Sequence, residues 1–110
     1  MKVDIKGHTT IIKDTESDVI AFLEKINDQY NSFKEYNLIL DITRNETVNN
    51  KTIKLFSELS KIHKKAKKSL VIVAENIDFN AISSSMVVVP SLLEAQDIIE
   101  MEEIERDLGF

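Results

Sequence analysis

The first third of the chain has the residue pattern of a hairpin followed by a helix. β-branched residues flank Gly7 between Lys2 and Ile12, a pattern typical of two short strands joined by a tight turn. Apolar residues then recur three or four positions apart from Val19 to Phe33, which predicts an amphipathic helix that ends soon after Phe33. Thr15 is the predicted N-cap of this helix, because acidic residues follow it where the helix dipole favours negative charge.

The middle of the chain predicts two buried strands separated by a second helix. The strands are Leu38 to Thr43 and Leu70 to Ala74, which are almost continuously apolar and therefore suit a sheet covered on both faces. Between them, apolar residues from Ile53 to Ala66 follow helical spacing. Lysines gather toward the end of that helix, where the helix dipole favours positive charge.

The last third of the chain predicts a short strand and a long C-terminal helix. The segment 75–85 is polar and irregular, and Met86 to Val89 form a strand that Pro90 ends. A Ser-x-x-Glu capping box at Ser91 begins a helix that runs to Leu108. The resulting order β-β-α-β-α-β-β-α predicts an α/β fold with a mixed, largely parallel sheet and three main helices.

Length and composition limit the class of protein. The chain has 110 residues, of which 43% are apolar and 30% charged, so we expect a single domain spanning residues 1–110. It has no cysteine, which excludes disulfides, thiolate nucleophiles and cysteine-type zinc sites. No apolar run approaches the roughly 18 residues that a membrane span requires, and no secretory signal is evident. We therefore expect a cytoplasmic protein without a membrane partner.

The net charge of −5 hides a strong segregation of charge along the chain. The segment 51–68 contains seven lysines and one acid, whereas the segment 94–110 contains seven acids and one base. These segments could be two solvated helix faces, could pair with each other, or could bind partners of opposite charge. The strongest candidates for a nucleic-acid surface are Lys61, Lys64, Lys65, Lys67 and Lys68.

Two stretches of the sequence carry a family resemblance. In the first, the strand Leu38 to Thr43 is followed by a loop and by Asn49-Asn50-Lys51-Thr52 at a helix start. In the second, the strand ending at Val89 leads into Pro90-Ser91 and then Glu94-Ala95. Both stretches resemble STAS domains, the family of anti-sigma-factor antagonists. The resemblance implies a regulatory domain, without a cofactor, that binds a protein partner through the segment 44–54. The candidate binding residues are then Asn49, Asn50, Lys51 and Thr52.

The chain also departs from the pattern of this family. Regulated STAS antagonists are phosphorylated on a serine or threonine at the start of the second helix, but Asn49, Asn50 and Lys51 stand at the corresponding positions. We therefore expect the phosphoserine switch to be absent, with Thr47 and Thr52 as the remaining hydroxyl groups open to modification. The segment 75–85 is too short for the helix that most STAS domains have there, which would leave one sheet face partly covered or covered by another chain.

The C-terminal sequence from Ile99 to Phe110 is similar to the ends of short proteins that carry the label ribonuclease Z. That enzyme binds two zinc ions through a His-x-His-x-Asp-His cluster and further histidines. This chain has only His8 and His63, which lack paired spacing and cannot build a binuclear metal site. We therefore expect neither bound metal nor ribonuclease activity.

A few other residues are candidates for chemistry. Asp41 ends a buried strand at the edge where α/β sheets place their sites, and we expect it to accept hydrogen bonds from the following loop. We expect His63 to be a half-exposed helix residue and His8 a turn residue. The serines at 83–85 have no adjacent base and should form a loop. The leading expectation is a non-enzymatic STAS-like interaction domain, and the alternative is a small RNA-processing or ribosome-associated factor.

Overall fold

Five strands form one sheet in which the spatial order follows the chain order. The computed structural model describes residues 1–109, so Phe110, the last residue of the predicted domain, lies outside the described residues. The strands are β1 (Lys2–Lys6), β2 (Thr9–Lys13), β3 (Asn37–Asp41), β4 (Leu70–Val73) and β5 (Val87–Val89). β1 pairs antiparallel with β2, whereas β2 to β5 are parallel to their neighbours. The predicted mixed, largely parallel sheet is confirmed.

The helices connect these strands in the predicted order. They are α1 (Val19–Asp28), α2 (Tyr30–Phe33), α3 (Asn50–Ile53), α4 (Ser57–Lys65) and α5 (Leu92–Asp107), with 3-10 turns at Lys54–Phe56 and Phe79–Ala81. α3, the first 3-10 turn and α4 follow one another without a break, so residues 50–65 form one helical stretch. With α1 and α2 also counted together, the order is β-β-α-β-α-β-β-α with three main helices. None of the helices in residues 1–109 is long and apolar enough to cross a membrane.

Each face of the sheet carries an apolar core. Right-handed crossovers between parallel strands in sequential order lie on one face, and α1 and the helical stretch 50–65 cover that face. Its core includes Phe22, Ile26, Leu38, Leu40, Ile53 and Phe56. The other face is covered by α5. Its core contains Ile11, Ile39, Val71, Val73, Ala95 and Ile99. Alternate residues of β3 serve the two cores, which explains its continuously apolar sequence.

The segment 75–85 covers the sheet as a loop rather than as a helix. It contains one 3-10 turn, Phe79–Ala81, and Ile77 and Ile82 pack against the first core. The prediction that this segment is too short for a full helix is confirmed.

β1 is the exposed edge of the sheet. All five of its residues are exposed, including Val3 and Ile5. Lysines begin and end the strand, and lysines on an edge strand discourage pairing with strands of other molecules. The hairpin turns at Gly7, whose φ of +60° favours glycine, and His8 lies in this turn as predicted.

The start and the end of the first helix differ from the prediction. Asp18, not Thr15, is the N-cap, because its carboxylate accepts a hydrogen bond from the Ala21 N–H at 3.1 Å. The chain bends at residues 16–17, where Ser17 has a φ of +56°, so Thr15 lies before this bend and outside the helix start. The helix also breaks at Gln29, after which α2 forms a separate turn.

Candidate functional site

Polar side chains organise the loops at the carboxyl edge of the sheet. Asp41, at the end of β3, accepts hydrogen bonds from the backbone N–H of Thr43 at 3.0 Å and from its hydroxyl at 2.7 Å. This side chain-to-backbone turn is a common use of aspartate at a strand end. The prediction that Asp41 holds the following loop is therefore confirmed.

A second carboxylate, Asp14, joins the loops that follow β2 and β3. It is 2% exposed and accepts hydrogen bonds from the Glu16 N–H at 3.0 Å and from Asn45 Nδ2 at 3.2 Å. Asn45 Oδ1 in turn accepts hydrogen bonds from the backbone N–H and the hydroxyl of Thr47. Sequence reasoning missed Asp14, although its place directly after a strand is the same signal that singled out Asp41.

Asn49 and Thr52 cap the helical stretch 50–65 reciprocally. Asn49 Oδ1 accepts from the N–H groups of Lys51 at 2.8 Å and Thr52 at 3.1 Å. Thr52 Oγ1 accepts from the Asn49 N–H at 3.0 Å and donates to the Asn49 carbonyl at 2.9 Å. Such a capping box satisfies N–H groups that a helix start otherwise leaves without partners.

Asn50 ties the helix start to the loop that follows β4. Its Nδ2 donates to the Asp78 carbonyl at 2.8 Å, and its Oδ1 accepts from the Asp78 N–H at 3.0 Å. The Asp78 carboxylate in turn caps the 3-10 turn by accepting from the Asn80 N–H at 3.0 Å. One side chain thus fixes two carboxyl-edge loops relative to each other.

Of the four candidate binding residues, only Lys51 keeps its side chain free of these internal bonds. It is exposed, and among residues 1–109 it has no carboxylate within 4.0 Å. The side chains of Asn49, Asn50 and Thr52 instead hold the backbone that presents Lys51. Their predicted role in binding a partner stays a prediction.

The outer face of the helical stretch 50–65 is basic and partly apolar. Leu55 is 47% exposed and Ile62 is 49% exposed, and their spacing of seven residues puts them on one face. Lysines at 51, 54, 61 and 65 are also exposed on this stretch. We use the name partner surface for Lys51, Lys54 and Leu55, which lie next to the Asn50–Asp78 connection.

The predicted basic patch is divided between two places. Lys64, Lys67 and Lys68 line a cavity of about 580 Å³, whereas Lys61 and Lys65 lie outside its lining. Arg106 and two carboxylates of α5, Glu102 and Glu105, line the same cavity. The lysine-rich and acidic segments therefore meet here, although no ion pair within 4.0 Å joins them in residues 1–109.

His63 is fully buried, so the prediction of a half-exposed residue is wrong. Its Nδ1 accepts a hydrogen bond from the Tyr30 hydroxyl at 2.7 Å, and its Nε2 donates to the Tyr36 carbonyl at 2.8 Å. The Tyr36 carbonyl can only accept, so Nε2 carries a proton, and in the neutral ring Nδ1 is then the acceptor for the Tyr30 hydroxyl. In the helical stretch, position 63 lies two turns after the buried Phe56 and therefore on the same face. The charged residues next to His63 made this spacing hard to recognise in the sequence.

Burial is the main influence on the ionisation of this pair. It lowers the pKa of His63, against the opposing hydrogen bond to the Tyr36 carbonyl, and the positive charges of Lys68 and Arg106 lower the pKa further. Burial also raises the pKa of Tyr30. Both ring nitrogens already have partners within the fold, so the geometry makes His63 a structural histidine.

The remaining histidine, His8, lies at the surface and its side chain faces α5. His8 Nδ1 is 3.3 Å from Glu103 Oε2 at the surface. Among residues 1–109, no three His, Asp or Glu side chains converge in an arrangement that could hold a metal ion.

Comparison of the chain with protein-family models finds no match, and comparison with curated proteins finds none either.

Proposed function

We propose that this protein is a non-enzymatic, cytoplasmic regulatory domain that binds a protein partner through the partner surface. The observation that carries the proposal is the exposed Lys51, which two sets of internal hydrogen bonds hold at a fixed helix start. The resemblance to STAS domains supports it, since that family binds partners at the corresponding segment.

The chemistry of the partner surface indicates what it would bind. Lys51 and Lys54 offer two ammonium groups, and Leu55 adds apolar area that is 47% exposed. A partner that presents carboxylates around an apolar side chain would complement this arrangement. Because the capping box and the Asn50–Asp78 connection already fix the backbone, little conformational entropy is lost on binding.

The same hydrogen bonds favour constitutive rather than switched binding. The Thr52 hydroxyl is used twice in the capping box, and the Thr47 hydroxyl donates to Asn45. Phosphorylation of Thr52 would remove its donor and disrupt the helix start. We therefore infer regulation through the abundance or competition of partners instead of through a phosphate on this segment.

Site-specific photo-crosslinking in the protein's own cells tests the proposal. A crosslinker replaces Leu55 in one variant and Ile20 in a control variant, since Ile20 on α1 is an apolar residue that is 57% exposed, at least as exposed as Leu55. We expect one discrete protein adduct from position 55, none from position 20, and loss of the adduct when Lys51→Glu is added. Equal adducts from both positions, or an adduct that does not depend on Lys51, would contradict the proposal.

A nuclease treatment distinguishes the RNA-related alternative. A protein adduct at position 55 that persists after nuclease digestion supports direct partner binding. Recovery of ribosomal or RNA-processing proteins that is lost on digestion, and that depends on Lys61 and Lys65 rather than Lys51, supports an RNA-associated factor and overturns the proposal.

A further inference from the structure

A cavity lies at the amino edge of the sheet, at the end opposite to the partner surface. The end of α4, the first residues of β4 and β5, and the last turns of α5 surround it. Its volume of about 580 Å³ falls within the roughly 300–1,000 Å³ typical of small-molecule sites. The proposed function does not use this cavity.

Positive charge predominates in the cavity lining. Three lysines and Arg106 face two carboxylates, Glu102 and Glu105. Glu102 is already engaged, because its Oε1 accepts a hydrogen bond from the Ser69 hydroxyl at 2.6 Å. None of the four cationic groups has a carboxylate within 4.0 Å among residues 1–109.

Arg106 is fixed in place before any ligand binds. Its Nη1 donates to the Ser69 hydroxyl at 2.9 Å, and its Nη2 lies 3.3 Å from Asn37 Oδ1. Asn37 Oδ1 also accepts from the Ser69 N–H at 2.9 Å. A guanidinium has five N–H donors, so this anchoring leaves donors that can meet an anion without loss of side-chain freedom.

An unpaired buried hydroxyl gives an independent indication of a ligand. Ser60 lines the cavity and is 5% exposed, and its Oγ has no hydrogen-bond partner among the described residues. Buried polar groups are nearly always paired. A ligand oxygen in the cavity would supply the missing partner.

The cavity also has an apolar part. Leu70 and Val87, the first residues of two strands, belong to its lining. Lys67, just after the end of α4, has a φ of +61°, a conformation in which glycine is favoured at a helix end. The lining therefore combines clustered cations and a buried hydroxyl with two apolar residues.

We infer that this cavity binds a phosphorylated small molecule. Its phosphate would accept hydrogen bonds from Lys64, Lys67 and Lys68, and its organic part would lie on Leu70 and Val87. RNA carries the same phosphate chemistry, but a concave site with a buried hydroxyl fits a compact ligand better than an extended backbone. Lys61 and Lys65 lie outside the lining and should not contribute.

Titrations of the whole chain, followed by amide NMR signals, test the inference with three probes. The probes are pyrophosphate, adenosine 5′-monophosphate and a single-stranded RNA oligonucleotide. We expect pyrophosphate to shift signals of the cavity residues and the nucleotide to bind more tightly than pyrophosphate. The double variant Lys67→Gln/Lys68→Gln should weaken binding about tenfold or more, whereas the matched Lys61→Gln/Lys65→Gln variant, with the same change in charge, should not.

Two further variants test the buried hydroxyl and the negative charge within the cavity. Ser60→Ala should weaken pyrophosphate binding without lowering the unfolding temperature, and Glu105→Gln should strengthen binding. The inference is overturned if pyrophosphate and the nucleotide leave the cavity signals unmoved. It is also overturned if RNA binds best and both lysine pairs contribute equally, since that result describes a general polyanion surface.

Discussion

At the scale of single residues, polar side chains at the carboxyl edge fix the loops. Asp41 and Asn45 accept hydrogen bonds within the loop that follows β3, whereas Asp14 accepts from Asn45 and Asn50 accepts from Asp78 across separate loops. The sequence identified Asp41 because a lone aspartate after an apolar run is a strong local signal. It did not identify the Asn50–Asp78 connection, because that contact joins residues 28 positions apart and no local pattern encodes it.

Replacing Asn50 tests this structural role. Asn50→Ala removes both hydrogen bonds to Asp78, and we expect the free energy of unfolding to fall by about 1–2 kcal/mol. Urea denaturation measures the change. Glu46→Ala is the control, because Glu46 is an exposed residue of the preceding loop and should have little effect. Equal denaturation midpoints for the two variants would show that the connection adds nothing to stability.

His63 should make the stability of the protein depend on pH. Since burial lowers its pKa in the folded state from the ordinary 6.5, the unfolded state takes up a proton at a higher pH than the folded state does. The contribution of His63 is then complete above pH 6.5 and is lost as the pH falls through the folded-state pKa. Lys68 and Arg106 act in the same direction, while Tyr30 donates to the neutral ring.

A comparison of the wild type with His63→Gln isolates this effect. Thermal denaturation at a series of pH values should show the wild type losing stability relative to the variant as the pH falls below 6.5. Carboxylates titrate in both proteins and cancel in the difference. A difference that stays constant with pH would mean that His63 accepts a proton in the folded state as easily as in the unfolded state.

At the scale of elements, apolar periodicity predicted where helices and strands lie, but not which apolar residues face the core. α5 shows the difference, because its apolar residues occupy two faces. Ala95 and Ile99 are buried, whereas Leu93, Met101 and Ile104 are each at least 59% exposed. Because α5 packs on only one face of the sheet, its other side points away from the sheet. The sequence alone does not show which apolar stripe lies on that outer side. The prediction of Thr15 as the N-cap of α1 was also wrong, because a bend at Ser17 separates Thr15 from the start of the helix.

Substitutions on the two faces of α5 should differ sharply in effect. Ile99→Ala creates a cavity in the second core and should lower the free energy of unfolding by about 2–5 kcal/mol. Met101→Ala changes a residue that is 60% exposed and should stay within about 0.5 kcal/mol of the wild type. Chemical denaturation of both variants provides the comparison. Similar losses would mean that the outer stripe is covered in solution by another part of the protein or by a second molecule.

At the scale of the whole molecule, the fold places two polar surfaces at opposite ends of the parallel strands. The helical stretch 50–65 connects them, because its first residues belong to the partner surface and its last residues lead into the lining of the cavity. The charge segregation in the sequence indicated that surfaces of this kind exist. It did not show that the lysines divide between a cavity and an outer face, since that division depends on how the ends of α4 and α5, which lie on opposite faces of the sheet, come together to line one cavity.

If the two surfaces act independently, a ligand in the cavity should stabilise the protein by the same amount when a residue of the partner surface is substituted. Pyrophosphate at ten times its dissociation constant should stabilise the wild type by about 1.4 kcal/mol. Lys51→Glu should be stabilised equally, because Lys51 lies outside the cavity lining, whereas Lys67→Gln/Lys68→Gln should gain much less at the same concentration. Thermal denaturation with and without pyrophosphate measures all three proteins. A reduced gain in Lys51→Glu would show that the helical stretch couples its two ends, so that occupation of the cavity affects the surface at which we propose that a partner binds.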